Sequence, residues 1–175
     1  MTEKESARGR LPPVRRLVTT TSGDGAAIVA FRDARLQTIH LNGSTIYRLW
    51  ETAGVPTTLP VRADAGAAAG NAYRADFAGT SLYVADIPHD TVGAIPLHRE
   101  DSLDYIAVLA GEIDLVLGTE TCHLVAGDVL VQAGNLHTWE NRSGSACRLL
   151  VVVLRATSQV LPDRAASSRS SPAST

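Results

Sequence analysis

The chain has little aromatic content, few cysteines and no excess of positive charge. Only 5% of its 175 residues are aromatic, two are cysteine and one is methionine. Lys and Arg number 16 against 18 Asp and Glu, which gives a formal net charge of −2. Nucleic acids and anionic membrane surfaces attract basic proteins. The charge balance therefore argues against both as partners.

Long apolar runs are also missing. No stretch approaches the roughly 20 apolar residues that a helix needs to cross a bilayer. The charged residues 1–6 carry no apolar secretion signal. We therefore expect a cytoplasmic protein with no membrane partner. Cys122 and Cys147 lie in strand-like runs, where a reducing compartment favours small buried thiols over a disulfide.

The apolar content of 45% suits one domain with a packed core. Residues 1–13 are polar and end in Pro12-Pro13, which indicates a loose arm before a domain at 14–156. Residues 157–175 are mostly Ser, Ala, Arg and Pro. Such a segment buries too little apolar surface to offset the entropy of ordering it, so we expect disorder there.

Short strand-like runs separated by turn residues predict an all-β barrel or sandwich. No internal repeat is visible, which favours one barrel. Residues 55–79 show neither helical nor strand periodicity and are predicted to form a loop. The strands are predicted at 14–20, 26–31, 44–52, 81–87, 105–109, 113–117, 121–124, 128–132, 137–141 and 147–154.

Polar residues between Gly93 and Asn141 have a spacing typical of a functional site. The first group contains His98, Glu100 and Asp104 and ends at Gly111; the second contains Gly127, Gly134, His137 and Asn141. Together they resemble the two signature motifs of the cupin superfamily.

The resemblance implies a jelly-roll β-barrel over about residues 80–154, with its core motifs at 93–141. His98 stands at the first His of the first motif, Glu100 replaces its second His, and Asp104 replaces its Glu. The second motif is one residue short and lacks its Pro. These departures bear on the site more than on the fold.

Cupins often hold one metal ion, and the resemblance places its ligands at His98, Glu100, Asp104 and His137. Two unpaired carboxylates in an apolar cavity would cost several kcal/mol each. A divalent cation, proton uptake, or pairing with Arg99 or the histidines would relieve that cost. Two imidazoles and carboxylates suit Zn, Fe, Mn or Ni. The alternative is a metal-free cluster held by hydrogen bonds.

The two-residue period of a strand gives the expected substrate pocket. Ile106 and Val108 share the face of Asp104, whereas Trp139 and Asn141 share that of His137. Aromatic rings near the mouth would suit a small, partly apolar or aromatic substrate. The full predicted pocket consists of Trp50, Tyr105, Ile106, Val108, Trp139 and Asn141. For Trp50, packing against the barrel is favoured over lining its mouth, because Trp side chains usually supply buried area first.

Three functions fit this pattern. The first is metal-assisted proton transfer, with His137 and Asp104 as catalytic residues, in a dehydration, cyclisation, isomerisation or decarboxylation. The second is an Fe(II)-dependent dioxygenase, and the third is a non-catalytic binding module. We favour the first, because a second carboxylate ligand adds negative charge and crowds the room that O₂ needs.

The resemblance also implies specialised metabolism, with an aromatic or polyketide-like substrate, and a homodimer. Related barrels sometimes exchange an amino-terminal strand between subunits. Residues 14–20 could serve in this way, because an edge strand with no neighbour seeks a partner.

Overall fold

A computed structural model describes residues 11–33, 36–67 and 78–157 of the chain. Within these ranges the secondary structure consists of β-strands, turns and bends, which confirms the all-β prediction. The predicted arm and tail lie outside the described residues, apart from 11–13 and 157. The strands are β1 (Arg16–Thr21), β2 (Ala27–Asp33), β3 (Thr38–Leu41), β4 (Ser44–Glu51), β5 (Thr80–Ile87), β6 (Ser102–Ala110), β7 (Glu112–Leu117), β8 (Thr121–Val125), β9 (Val129–Ala133), β10 (His137–Glu140) and β11 (Cys147–Arg155).

The strands form three antiparallel sheets. The largest has the order β3-β4-β5-β11-β6-β9, the second β10-β7-β8, and the third pairs β1 with β2. In the largest sheet β3, β4 and β5 follow one another in sequence, whereas β11 lies between β5 and β6, a long-range pairing typical of a jelly roll. In the described part of the chain, no helix is long and apolar enough to span a lipid bilayer.

The core lies between the six-stranded and three-stranded sheets. Alternate residues of β11 point into it, and Leu149, Val151 and Val153 are each less than 5% exposed. Burying one such side chain contributes about 1.5–3 kcal/mol. The buried core residues are Ile87, Ile106, Val108, Ile113, Leu115, Trp139, Cys147, Leu149, Val151 and Val153.

Both cysteines are free thiols, as the sequence predicted. Cys147 is completely buried. Burial raises the pKa of its thiol to about 12, so it behaves as a small core residue with no thiolate character at neutral pH.

The β3–β4 hairpin was missed by the sequence analysis. Its two-residue turn is Asn42-Gly43, with φ of 50° and 81°. Positive φ at both positions is the requirement of the type I′ turn, and Asn-Gly satisfies it best. That dipeptide, flanked by Leu41 and Ser44, was the available signal. The hairpin matters because it carries one wall of the cavity described below.

Arg16 ties the β1–β2 hairpin and the following loop to β4. Its guanidinium donates hydrogen bonds to Asp33 at 2.7 Å, to the Leu49 carbonyl at 2.9 Å and to both Asp64 oxygens at 2.7 and 2.5 Å. We call Arg16, Asp33 and Asp64 the Arg16 cluster. Asp64 also accepts the Gly66 N–H at 2.9 Å. The described part of the predicted loop 55–79 is therefore anchored.

The amino-terminal strand has a partner within its own chain. β1 pairs with β2 in register from Arg16 and Asp33 to Thr21 and Ala27. The expectation that residues 14–20 form a strand with no neighbour was wrong, because the Ser22–Ala26 turn brings β2 back alongside it.

Candidate functional site

A cavity of about 190 Å³ lies inside the barrel and is lined by residues of both large sheets. Its wall is mainly apolar, with most polar side chains near β6, β9 and β10 and with Asn42 and Ser44 on the β3–β4 hairpin. The lining residues are Leu41, Asn42, Ser44, Ile46, Tyr83, Ala85, Ile87, Ile95, Pro96, His98, Glu100, Ser102, Asp104, Ile106, Gln132, Gly134, His137, Trp139, Leu149 and Val151.

His98 and His137 lie side by side in this wall. Each backbone N–H donates to the other's carbonyl at 2.9 Å, which forms an isolated antiparallel bridge. Such a pair holds the two Cα atoms about 5.5 Å apart. The imidazole centroids are 4.3 Å apart. The second motif therefore meets the first through the backbone as well as through the side chains.

Backbone carbonyls fix which ring nitrogen of each histidine carries the proton. His98 Nδ1 lies 2.8 Å from the Pro96 carbonyl oxygen, and His137 Nδ1 lies 3.0 Å from that of Asn135. A carbonyl oxygen can only accept, so Nδ1 donates in both rings. In the neutral form, each Nε2 then keeps its lone pair and can accept a proton or bind a metal.

Asp104 lies near the start of β6, between its cross-strand partners Gln132 of β9 and Val153 of β11. Its Oδ1 is buried and has no hydrogen-bond partner among the residues that the structure describes. Burial raises the pKa of this carboxyl, and the negative charge of Glu100 adds to the effect, while Ser102 and His98 oppose it. Asp104 therefore holds its proton to higher pH than an ordinary aspartic acid.

The pKa of the His137 imidazole is lowered, so its uncharged form is favoured. Burial lowers the pKa of its imidazole, the Asn135 carbonyl opposes this, and the neighbouring His98 adds to the lowering. The environment thus favours a proton on Asp104 and a free lone pair on His137. The charges of His98 and Glu100 act on both groups, so all four lie within electrostatic range.

The four predicted metal ligands line one cavity, but they do not form a metal centre as placed. The described residues contain no group of three or more His, Cys, Asp or Glu side chains that could hold a metal ion. Asp104 is one methylene shorter than the Glu of the family motif, which keeps its carboxylate closer to β6. A metal held by three or more of these side chains therefore stays a prediction.

Two of the predicted pocket residues line the cavity. Ile106 follows Asp104 by two positions and shares its face of β6. Trp139 follows His137 in the same way, and its ring meets that imidazole edge-on, with centroids 6.0 Å apart. This edge contact restrains the His137 ring.

The other four predicted pocket residues do not line it. Tyr105 is adjacent to Asp104, so it points to the opposite face and is 44% exposed. Val108 is buried deeper in the core. A β-bulge between Arg48 and Trp50 breaks the alternation of β4, and Trp50 packs 6.5 Å from Phe31.

Asn141, the fourth, is fully buried in a turn. Its side-chain amide donates to the Ile87 and Ser145 carbonyls at 3.1 and 2.9 Å and accepts from the Ser143 N–H at 3.0 Å. Every polar atom of this side chain is used to hold the β10–β11 connection. Asn141 is a structural residue.

Sequence reasoning missed Gln132 and Ser44, which both line the cavity. Residues 128–132 were predicted as a strand, but their pairing with β6 was not, so nothing placed Gln132 beside Asp104. A single amide in the apolar run Val129–Ala133 was the only available signal.

Most of the residues that line the site lie within a region that matches a known family. Residues 83–153 match the family model Cupin_2, described as a cupin domain. The Cnp3 cupin domain of Schizosaccharomyces pombe superposes with a TM-score of 0.50 at 15% identity, covering 81% of this chain and 87% of that one. The chain therefore has a cupin fold, and its residues 83–153 are similar to cupin domains.

Relatives at higher identity come from fungi. Phomopsin biosynthesis cluster proteins C′ and D of Diaporthe leptostromiformis are each 45% identical over 80 residues, which are 45% of this chain and 41% of each relative. The chain thus spans about two fifths of the length of these relatives. The cupin-domain-containing oxidoreductase virC of Hypocrea virens is 41% identical over 51 residues, 29% of this chain and 26% of that protein.

Proposed function

We propose that the cavity is the active site of a small-molecule enzyme that transfers protons on a carbonyl-bearing substrate. The reaction class is dehydration, cyclisation, isomerisation or decarboxylation. The observation that carries the proposal is the pairing, in one apolar-walled cavity, of a buried carboxyl with a histidine whose Nε2 is left free to accept a proton. These groups are Asp104 and His137.

The environment separates the two groups into an acid and a base. His137 takes a proton from a substrate C–H or O–H on Nε2, while Asp104 gives its proton to the carbonyl oxygen. Reversing the two transfers at different substrate atoms completes an isomerisation, and loss of a protonated hydroxyl completes a dehydration. Burial shifts the two pKa values toward each other, which favours the uncharged acid and the uncharged base that this chemistry needs.

The relatives support a role in specialised metabolism. Two of them are named for the phomopsin biosynthesis cluster. An aromatic or polyketide-like substrate is consistent with the wall, where Trp139 and Tyr83 offer ring surface beside aliphatic side chains. Substrate class and pathway type are therefore both part of the proposal.

Hydrogen–deuterium exchange on candidate substrates tests the proposal without knowledge of the natural one. A panel of aryl ketones and β-diketones in D₂O, followed by proton NMR, reports enzyme-catalysed exchange of the acidic C–H. We expect exchange by the wild type, and a loss of about 10²–10⁴-fold in His137→Gln and Asp104→Asn. His40→Gln, at an exposed site on β3, is the matched control. Undiminished exchange in both cavity variants would contradict the proposal.

An oxidoreductase is the second candidate, because one relative carries that description. An Fe(II)-dependent dioxygenase would use the imidazoles of His98 and His137, the two histidines on the cavity wall, as nitrogen donors. Iron near one per chain together with substrate-dependent oxygen uptake would favour this function. Binding of a small molecule without proton exchange and without oxygen uptake would favour the non-catalytic binding module.

The homodimer stays a proposal as well. Its support is the exposed apolar surface of the β1–β2 hairpin, where Leu17, Ile28 and Val29 are 57%, 43% and 43% exposed. A molar mass of one chain in light scattering would contradict the homodimer.

A further inference from the structure

Four buried side-chain atoms in the described residues have no hydrogen-bond partner, and all belong to the cavity wall. They are Ser44 Oγ, Asp104 Oδ1, Gln132 Oε1 and Gln132 Nε2. A buried polar atom left without a partner costs about 1–3 kcal/mol, so native proteins keep few of them. Their concentration on one surface indicates that a ligand supplies the missing bonds.

Gln132 is the most informative of the three residues. It is only 3% exposed, while its neighbour Val131 is 59% exposed on the opposite face of β9. The alternation of β9 therefore directs the Gln132 side chain to the cavity. Both polar atoms of its amide, one acceptor and one donor, are available there.

We propose that Gln132 recognises a neutral planar group in which an N–H lies beside a C=O, the edge presented by a lactam. The amide Oε1 accepts from the ligand N–H, and Nε2 donates to the ligand carbonyl. This pairing satisfies both atoms of Gln132 with one rigid group. The inference rests on the proposed function only in taking this cavity as the substrate site.

The charges of the wall favour a neutral group over a carboxylate. Asp104 is the cross-strand partner of Gln132, and Glu100 lines the same cavity. No Lys or Arg occurs among the lining residues, so an anionic ligand group would meet two carboxyl side chains without a fixed positive partner. A lactam brings no charge into that surrounding.

Ser44 extends the recognition to the other side of the cavity. It is 6% exposed and begins β4, whereas Gln132 lies on β9 at the far edge of the same sheet. Aliphatic side chains such as Ile46, Leu149 and Val151 lie on the wall between them. The ligand is therefore a lactam edge on an apolar body, with a second polar atom placed to meet Ser44.

Two pairs of probes test this directly. Each pair consists of a lactam and its N-methyl derivative: 2-quinolone for a fused aromatic body and δ-valerolactam for a smaller one. N-methylation removes the N–H and keeps the carbonyl. Isothermal titration calorimetry of the full chain measures all four affinities for the wild type, Gln132→Met and Gln37→Met. Gln37 is exposed and lies outside the cavity lining, so it controls for the substitution itself.

We expect the wild type and Gln37→Met to bind at least one lactam about tenfold more tightly than its N-methyl derivative. Gln132→Met should lose that preference while it still binds the N-methyl compound. Circular dichroism melts establish that the variant is folded.

Equal affinity of the wild type for both members of each pair, or no binding in either pair, overturns the inference. So does a preference for the lactam that survives in Gln132→Met. This result is independent of the exchange assay. Selectivity for the N–H without proton exchange would support the Gln132 site and contradict the proposed enzyme activity. Exchange without selectivity would support the enzyme activity and contradict the Gln132 site.

Discussion

Two regions of this molecule bury polar side chains, and they treat them in opposite ways. In the Arg16 cluster, the guanidinium donates hydrogen bonds to Asp33, Asp64 and the Leu49 carbonyl, and Arg16 is 9% exposed. On the cavity wall, Ser44 and Gln132 are buried at least as deeply without a partner among the described residues. The first region holds the fold together, whereas the second reduces stability, as expected of the ligand site proposed above.

The same contrast appears between two buried amides. Asn141 uses both ends of its side chain to hold a turn, whereas Gln132 bonds with neither end to any residue that the structure describes. The residue types are nearly identical, so their partners alone distinguish a structural amide from one placed for a ligand. The predictions below test whether that distinction is correct.

Removal of the Arg16 charge should have the largest effect on stability. Arg16→Met leaves two carboxylates and a carbonyl without their donor, and we expect the free energy of unfolding to fall by about 3–5 kcal/mol. Guanidinium chloride unfolding measures it. The adjacent Arg15→Met, at an exposed position, should change it by less than about 0.5 kcal/mol. A loss below about 1 kcal/mol in Arg16→Met would mean that the cluster is dispensable.

A methyl group added beside the Arg16 cluster should lower the free energy of unfolding by a smaller amount. A Cβ at Gly66 would lie 2.1 Å from Arg16 Nη1 and 2.5 Å from the Leu49 carbonyl oxygen. The backbone oxygen cannot move away freely, so Gly66→Ala should cost about 1–3 kcal/mol in unfolding free energy. Gly54→Ala, with nothing within 4 Å of its Cβ, is the control and should be neutral or slightly stabilising. Equal stability of the two variants would show that the contact is not tight.

Asp104→Asn should increase the free energy of unfolding, in contrast to the two substitutions above, and the increase should depend on pH. The raised pKa means that the unfolded chain loses this proton first as pH rises, so ionisation favours unfolding. The penalty is absent below the ordinary Asp pKa of about 3.9 and grows as pH rises above it. Since Asn cannot ionise, the variant should be more stable than the wild type at pH 7.

Denaturant unfolding of Asp104→Asn and the wild type at pH 3 and pH 7 measures this difference. We expect the gain to disappear at the lower pH. A variant that is less stable at pH 7 would indicate that Asp104 is partnered in solution and contributes to the fold.

Much of the fold and part of the site could be predicted from the sequence. Strand periodicity, turn residues and two spaced motifs were enough for an all-β cupin and for the inward face shared by Asp104 and Ile106. Motif spacing also placed His98 and His137 on one wall. These features are local, or they repeat a pattern whose spacing is fixed by the barrel.

The rest depends on which strands become neighbours, and local sequence does not encode that. Gln132 faces the cavity because β9 pairs with β6, and Arg16 is buried because Asp64, 48 residues away, folds over it. A bulge in β4 moved Trp50 away from the predicted pocket. Asn141 stood at the motif position, but its hydrogen bonds made it part of a turn.

The most direct test of the account compares the two buried amides in one measurement. Unfolding free energies of Gln132→Met and Asn141→Leu, each close in volume to the residue it replaces, are measured in guanidinium chloride without ligand. The account predicts that Gln132→Met is as stable as the wild type or more so, and that Asn141→Leu loses about 2–4 kcal/mol. A loss in Gln132→Met as large as that in Asn141→Leu would contradict it, because the Gln132 amide would then be holding the fold.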